Sequence, residues 1–176
     1  VCLIDQEPIG KTPRSNPITY IKAYDEIRAL FAQSAEARAH RLTPAHFSFN
    51  TGKGRCARCQ GNGYEKLEMY FLADLYVPCA DCEGKRFKDK ILQVQVKGHS
   101  IHDVLNLTVD QAVAFFSASC PKVLKGLRVL QQLGLGYLTL GQPATTLSGG
   151  ETQRLKIARE LTNTPKRSAA NPNHNG

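Results

Sequence analysis

Apolar residues recur every three or four positions near the start of the chain, and this spacing predicts a helix. The helix would run from about Tyr20 to His40, with Thr19 as its N-cap. We interpret its aromatic residues as part of the core. The segment before it, from Pro8 to Pro17, contains three prolines and is therefore predicted to be an ordered loop or hinge.

Four more helices are predicted in the second half of the chain, where the same periodicity returns. They run from Ile101 to Leu105, from Thr108 to Phe116, from about Val123 to Leu133, and from Ser148 to about Leu161. Two of them begin with a capping box, Thr108 with Gln111 and Ser148 with Glu151. Gly134 closes the third of these helices.

Alternating apolar and polar residues predict strands in the middle of the chain. Phe47 and Phe49 flank a serine and would form a strand that leads into a cysteine-rich segment. Residues from Lys66 to Val77 would form a hairpin or one bent strand, and Ile91–Val96 would form a half-buried strand. Helices around a small β-rich region place the chain in the α+β class.

Two Cys-x-x-Cys pairs, Cys56 with Cys59 and Cys79 with Cys82, give the strongest chemical signal in the sequence. The 19 residues between the pairs fit the spacing of a tetrahedral four-thiolate zinc site. Glycines follow each pair and allow the backbone to fold back under the metal. Four sulfur ligands leave no open coordination position, so the predicted zinc is structural. Two disulfides, or reduced thiols without a metal, are the alternatives.

The other two cysteines bear on the cellular location. Cys2 and Cys120 have no nearby partner in the sequence, and two free thiols favour a reducing cytoplasm. No apolar run approaches the ~20 residues of a membrane-spanning helix.

Charge adds a class of partner to this description. The chain has 23 lysines and arginines against 15 acidic residues, a formal net charge of +8. Such a balance favours polyanions, nucleic acid first, although a solvated basic surface is the alternative. Lys11 and Arg14 stand among hydroxyl and amide side chains and offer donors suited to phosphate oxygens.

The last predicted helix begins with Gly149 and Gly150, directly after its capping Ser148. Two glycines in a first turn cost helix stability but leave the N-terminus bare of side chains. Backbone N–H groups and the positive end of the helix dipole can then approach a phosphate closely. We therefore favour a phosphate contact over capping alone.

A family resemblance rests on this motif. Leu147-Ser-Gly-Gly-Glu-Thr-Gln-Arg154, preceded by Thr145-Thr146, resembles the signature motif of ABC-type ATPases. Together with the cysteine pattern and the segment Asp5-Gln-Glu-Pro-Ile-Gly-Lys-Thr-Pro-Arg-Ser-Asn-Pro17, it resembles the UvrA family, whose members are components of the UvrABC excinuclease. The likeness runs from about residue 1 to 162 and matches the second ATPase half of that family.

The resemblance implies a fold, a function and partners. The fold would be a helical signature subdomain (1–45 and 99–162) with an inserted zinc module (46–98). Beyond the likeness, residues 163–176 lack periodicity and are predicted to be a disordered tail. The function would be DNA damage recognition in nucleotide excision repair and the SOS response, with double-stranded DNA as a partner. The full-length protein would bind ATP with Mg²⁺, dimerise and bind a UvrB-type subunit in the cytoplasm.

The resemblance also implies residue roles. The implied zinc ligands are the four cysteines of the two pairs. The residues implied to contact the γ-phosphate of a nucleotide held by an opposite ATPase module are Ser148, Gly149, Gly150 and Glu151. Gln6 would link the nucleotide site to the signature domain. The implied DNA-binding residues are Lys11, Arg14, Lys53 and Arg55.

The sequence departs from the family in two respects. It contains no Gly-x-x-x-x-Gly-Lys-Ser/Thr motif, and no Walker B strand follows Leu161. We therefore expect a truncated piece of a longer protein, preceded by further sequence and without ATPase activity of its own. A DnaJ-like zinc chaperone module and a stand-alone zinc-ribbon nucleic-acid-binding protein are the rival interpretations.

Overall fold

The computed structural model describes residues 15–163, which form eight α-helices, two short 3-10 helices and one two-stranded sheet. The first three helices are α1 (Pro17–Tyr20), α2 (Tyr24–Ala32) and α3 (Ala35–Ala39). The later helices are α4 (Asp89–Leu92), α5 (Ile101–Leu105), α6 (Val109–Phe116), α7 (Pro121–Gln132) and α8 (Gly149–Asn163). The 3-10 helices lie at Pro44–Phe47 and Ala144–Thr146, and the antiparallel strands are β1 (Tyr64–Leu67) and β2 (Leu75–Pro78).

The single helix predicted near the start of the chain is wrong, because three short helices replace it. Lys22 adopts a left-handed backbone with φ of 54°, which interrupts the helix after α1. Ser34 then caps α3 by accepting a hydrogen bond from the backbone of Ala37. Thr19 is not the N-cap of a long helix but the partner of Asn16 in the capping box of α1.

Two of the predicted strands are also wrong. Phe47 ends a 3-10 helix, Phe49 follows two residues later outside any strand, and both side chains are fully buried. Ile91 lies in α4, Val94 follows it, and both are buried. Residues three positions apart lie on the same side of a helical turn but on opposite faces of a strand, so their burial indicates a turn. The predicted hairpin is confirmed, with β1 and β2 paired from Tyr64 opposite Pro78 to Leu67 opposite Leu75.

The four helices predicted in the second half are confirmed, and with them the α+β class. Both capping boxes form. At the start of α6 the N–H of Thr108 donates to the side chain of Gln111 at 3.0 Å, and the N–H of Gln111 donates to the Thr108 hydroxyl at 3.1 Å. Ser148 and Glu151 are paired in the same way. Gly134 follows α7 with φ of 75°, as a helix-terminating glycine does.

One apolar core joins the helices, and it receives residues from Ile18 to Phe49 and from Phe87 to Ala158. Its fully buried large side chains include Phe31, Phe47, Phe49, Phe87, Phe116, Leu127 and Leu130. The four paired cysteines form a separate buried cluster. No helix within residues 15–163 has the length and apolar character needed to cross a membrane.

Candidate functional site

The four paired cysteines converge on one point. Their sulfur atoms all lie within 4.8 Å of one another, with 4.0 Å between Cys56 and Cys79 and 3.6 Å between Cys59 and Cys82. A zinc ion with four sulfurs at 2.3 Å has sulfur–sulfur edges of about 3.8 Å. A disulfide bond is about 2.05 Å long, so the disulfide alternative does not fit these free thiols. The four cysteines are positioned to bind a metal ion and fit a structural zinc.

Two matching turns hold the sulfurs in place. Gly61 and Gly84 stand at equivalent positions after the two pairs, with φ of 83° and 82°. Two residues further on, the N–H groups of Gly63 and Arg86 donate to the second sulfur of their respective pairs at 3.3 and 3.4 Å. A Cβ on Gly61 would lie 2.0 Å from the carbonyl oxygen of Phe49, so only glycine fits there.

Burial sets the proton affinity of these thiols when no cation is bound. Burial raises the pKa of Cys82 to about 12 and also raises the pKa of Cys59. The pKa of Cys79 is lowered: burial acts to raise it, but N–H donors of Cys82 and Asp81 and the neighbouring thiols outweigh burial. Because thiolates are the metal ligands, binding a cation must release protons from this site.

Arg86 connects the cysteine cluster to the helical part of the molecule. Its carbonyl oxygen accepts a 2.8 Å hydrogen bond from the N–H of Cys56. Arg86 as a whole is only 4% exposed, and the central carbon of its guanidinium lies 5.0 Å from the centre of the Phe49 ring. The Nη2 atom donates to the carbonyl oxygen of Gly141 at 3.2 Å. One buried side chain thus bridges the cysteine turns and the turn at Gly141, which precedes α8.

The segment from Leu147 to Arg154 presents an open helix end. Ser148, Gly149 and Gly150 are exposed, whereas Leu147 before them is buried. The N–H of Ser148 donates to Oε2 of Glu151 at 2.9 Å, and the N–H of Glu151 donates to the Ser148 hydroxyl at 3.2 Å. A Cβ on either glycine would meet no atom within 4 Å. Packing within residues 15–163 therefore does not require glycine at these two positions.

Tyr137 belongs to the same site, and the sequence analysis missed it. Its hydroxyl donates to Oε1 of Glu151 at 2.5 Å. This bond and then the N–H of Ser148 hold the pKa of Glu151 below its usual value. Tyr137 lies 14 residues before Glu151, in a connection without helical periodicity, so no sequence pattern links the two.

The DNA candidates lie in different surroundings. Lys53 is exposed at the edge of the cysteine turns. Arg55 is half-buried, and its guanidinium donates to the carbonyl oxygens of Asn50 and Gln60 at 2.6 and 3.4 Å. Arg55 therefore braces its own loop. Three further predicted residues, Gln6, Lys11 and Arg14, lie outside the described residues.

The hairpin carries an exposed apolar tip that the sequence analysis did not single out. Tyr70 and Phe71 are each 99% exposed. The other exposed apolar side chains of the hairpin are Leu67, Met69, Leu72 and Leu75. Most of the apolar side chains of the hairpin thus face solvent, away from the core.

Comparisons with known proteins agree on one family. UvrABC system protein A of Streptococcus pyogenes serotype M1 is 54% identical over 158 residues, which are 90% of this chain and 17% of that protein. The proteins of the same name from Bacillus subtilis and Methanothermobacter thermautotrophicus are 55% and 53% identical over 90% and 92% of this chain, and 16% and 17% of their own lengths. The chain thus spans about a sixth of the length of the curated relatives it matches.

A solved structure gives the same result. The crystal structure of UvrA2 from Deinococcus radiodurans matches with a TM-score of 0.84 and 48% identity, over 89% of this chain and 19% of that one. No family model matches the chain.

Proposed function

Because the chain is homologous to one segment of the UvrA proteins, we propose that it is the zinc-stabilised signature segment of a DNA-damage-recognition ATPase in nucleotide excision repair. In this function it binds double-stranded DNA without reading its sequence and supplies its signature helix to an ATP site in trans. On its own the segment hydrolyses no ATP, because the sequence has no Walker A lysine to hold the nucleotide.

The observation that carries the nucleotide role is the open N-terminus of α8. Ser148, Gly149 and Gly150 are exposed, and open space surrounds both glycines. Helix N-termini bind anions through unpaired N–H groups and the helix dipole. A γ-phosphate held by an opposite ATPase module can therefore approach these N–H groups and the Ser148 hydroxyl. Glu151 closes the capping box and completes the motif.

The cysteine cluster has a structural role in this proposal. Cys56, Cys59, Cys79 and Cys82 hold one zinc ion, which cross-links two turns that are 19 residues apart in the sequence. All four coordination positions are taken by sulfur, so no substrate reaches the metal. The hairpin and Arg86 extend from these turns, and the zinc fixes where both are placed.

DNA contacts are assigned to basic residues near the zinc module and the start of the chain. Lys53 is exposed and suited to a phosphate contact, whereas Arg55 acts mainly by shaping the loop. Lys11 and Arg14 remain candidates on sequence grounds. In the full-length protein, ATP with Mg²⁺, a second copy and a UvrB-type subunit are further partners in the cytoplasm.

The test of the signature role uses the full-length protein that contains this segment. Ser148→Arg places a bulky cation where the phosphate binds, and we expect ATP turnover to fall by at least about 100-fold. Ser117→Arg makes the same change at an exposed serine at the end of α6 and should leave turnover near its original value.

Normal turnover by the Ser148→Arg protein would contradict the proposal and favour a stand-alone zinc-ribbon binder. The chaperone alternative requires two zinc ions per chain, suppression of aggregation and no DNA affinity. The relatives and the solved structure, all UvrA proteins over about nine-tenths of this chain, favour excision repair over either alternative.

A further inference from the structure

Glu151 places a carboxylate beside the helix end that is proposed to receive a phosphate. A negative side chain in this position repels a second anion unless its charge is directed elsewhere. Both carboxylate oxygens have partners: Oε2 accepts from the N–H of Ser148 and Oε1 from the Tyr137 hydroxyl. The capping box alone supplies only the first of these bonds.

Tyr137 lies outside the signature motif and reaches it from the connection that follows α7. Its side chain donates to Glu151, and 57% of the residue is exposed. A tyrosine hydroxyl that donates to a carboxylate forms a charge-assisted bond, which is stronger than a bond between neutral groups. This bond fixes the second carboxylate oxygen and so opposes rotation of the carboxylate away from its capping position.

We propose that Tyr137 is a positioning residue of the signature motif, whose hydroxyl holds the Glu151 carboxylate aside so that phosphate can reach Gly149 and Gly150. This inference rests on the proposed function, and it assigns to Tyr137 no contact with the nucleotide. Tyr137 acts only through Glu151. Loss of its hydroxyl lets the carboxylate turn towards the phosphate position, which weakens nucleotide binding without removing any group that takes part in hydrolysis.

The test is a double-mutant cycle in the full-length protein, with Tyr137→Phe, Glu151→Ala and both together. Tyr137→Phe removes only the hydroxyl, and we expect the KM for ATP to rise about three- to tenfold with kcat unchanged. In the Glu151→Ala background no carboxylate remains to be held, so adding Tyr137→Phe should change the KM by less than about 1.5-fold.

Two results would overturn the proposal. An unchanged KM in Tyr137→Phe shows that the hydroxyl positions nothing. An equal rise in KM with and without Glu151 shows that Tyr137 acts by another route, such as direct contact with the nucleotide. A thermal melt of the 176-residue chain checks that Tyr137→Phe leaves folding intact.

The Ser148→Arg result separates this inference from the proposed function. If Ser148→Arg abolishes turnover while Tyr137→Phe has no effect, the signature role stands and the positioning role fails. If Ser148→Arg has no effect, the proposed function itself fails and the role of Tyr137 fails with it.

Discussion

Single residues determine whether the cysteine cluster can hold a metal. The four sulfurs come from two turns whose backbone N–H groups donate to two of them, and these donors stabilise the thiolate form that binds a metal. The raised pKa of Cys59 and of Cys82 nevertheless means that protons compete with the metal. Acid favours the protonated thiols and so opposes binding, and rising pH favours binding.

Cys79→Ser tests the cluster at this scale. We expect the zinc content to fall from one ion per chain to well below one. The substitution leaves three sulfur ligands and replaces the fourth by a serine hydroxyl, which binds zinc more weakly. The thermal midpoint should fall with it. Metal analysis and thermal melts provide the measurements, and acidification from about pH 8 to about pH 5 should release zinc from the unmodified chain.

Cys120→Ser is the matched control, since Cys120 is half-buried and lies outside the cluster. It should keep both the zinc content and the midpoint. Equal zinc content in the Cys79→Ser and unmodified chains would contradict the four-cysteine assignment.

Helix α8 begins with a complete capping box, but the two glycines in its first turn have a lower helix propensity than other residues that would fit there. Both glycines have open space around them, so alanine would fit at either position. Alanine has a higher helix propensity than glycine. The glycines are therefore best explained by a requirement outside the fold of residues 15–163.

Gly150→Ala should stabilise the chain and impair its function together. We expect the free energy of unfolding to rise by about 0.5 kcal/mol, because alanine loses less conformational freedom in a helix. In the full-length protein we expect ATP turnover to fall by at least about tenfold, because the added methyl obstructs the phosphate. Urea unfolding and ATPase assays measure the two effects.

Gly126→Ala on α7 is the contrasting variant. A Cβ there would lie 2.8 Å from Cδ1 of Ile21, so overpacking should lower the free energy of unfolding by about 1–3 kcal/mol. If Gly150→Ala leaves turnover unchanged, the close approach of a phosphate is contradicted.

The sequence predicted elements with local signals and missed those set by distant contacts. The capping boxes at Thr108 and Ser148 lie within four residues of chain, and both helices form where predicted. The alternation of apolar and polar residues wrongly predicted a strand at Ile91–Val96. The same segment contains Ile91 and Val94, whose separation of three residues also suits a helical turn. The prediction of one long helix near the start of the chain was wrong because nothing in the local pattern indicates the positive φ of Lys22.

The same distinction applies to the candidate site. The Cys-x-x-Cys spacing was sufficient to predict the convergence of four sulfurs. The bridge from Arg86 to Gly141 and the bond from Tyr137 to Glu151 join residues 55 and 14 positions apart. Both depend on tertiary packing, which the spacing of residues in one chain does not reveal.

At the scale of the whole molecule, the net charge of +8 predicts that the proposed DNA binding is sensitive to salt. Each phosphate contact releases counterions when it forms. Affinity for DNA duplexes should therefore fall steeply as salt rises and should differ little between duplexes of unrelated sequence.

Lys53→Gln tests one contact within this general attraction. We expect the slope of log affinity against log salt to become shallower by about 0.9, the value for one phosphate contact on duplex DNA. Lys125→Gln removes the same charge from an exposed position on α7 and should leave the slope nearly unchanged. Fluorescence anisotropy over a salt series measures both, and equal slopes for the two variants would contradict a specific role for Lys53.

The hairpin between β1 and β2 affects how the chain behaves in concentrated solution. Tyr70 and Phe71 stand fully in water, and four more apolar side chains of the hairpin are exposed beside them. Mutual repulsion between positively charged copies keeps these tips apart at low ionic strength. Added salt weakens that repulsion but leaves the apolar attraction in place. High salt will therefore promote aggregation of the purified chain.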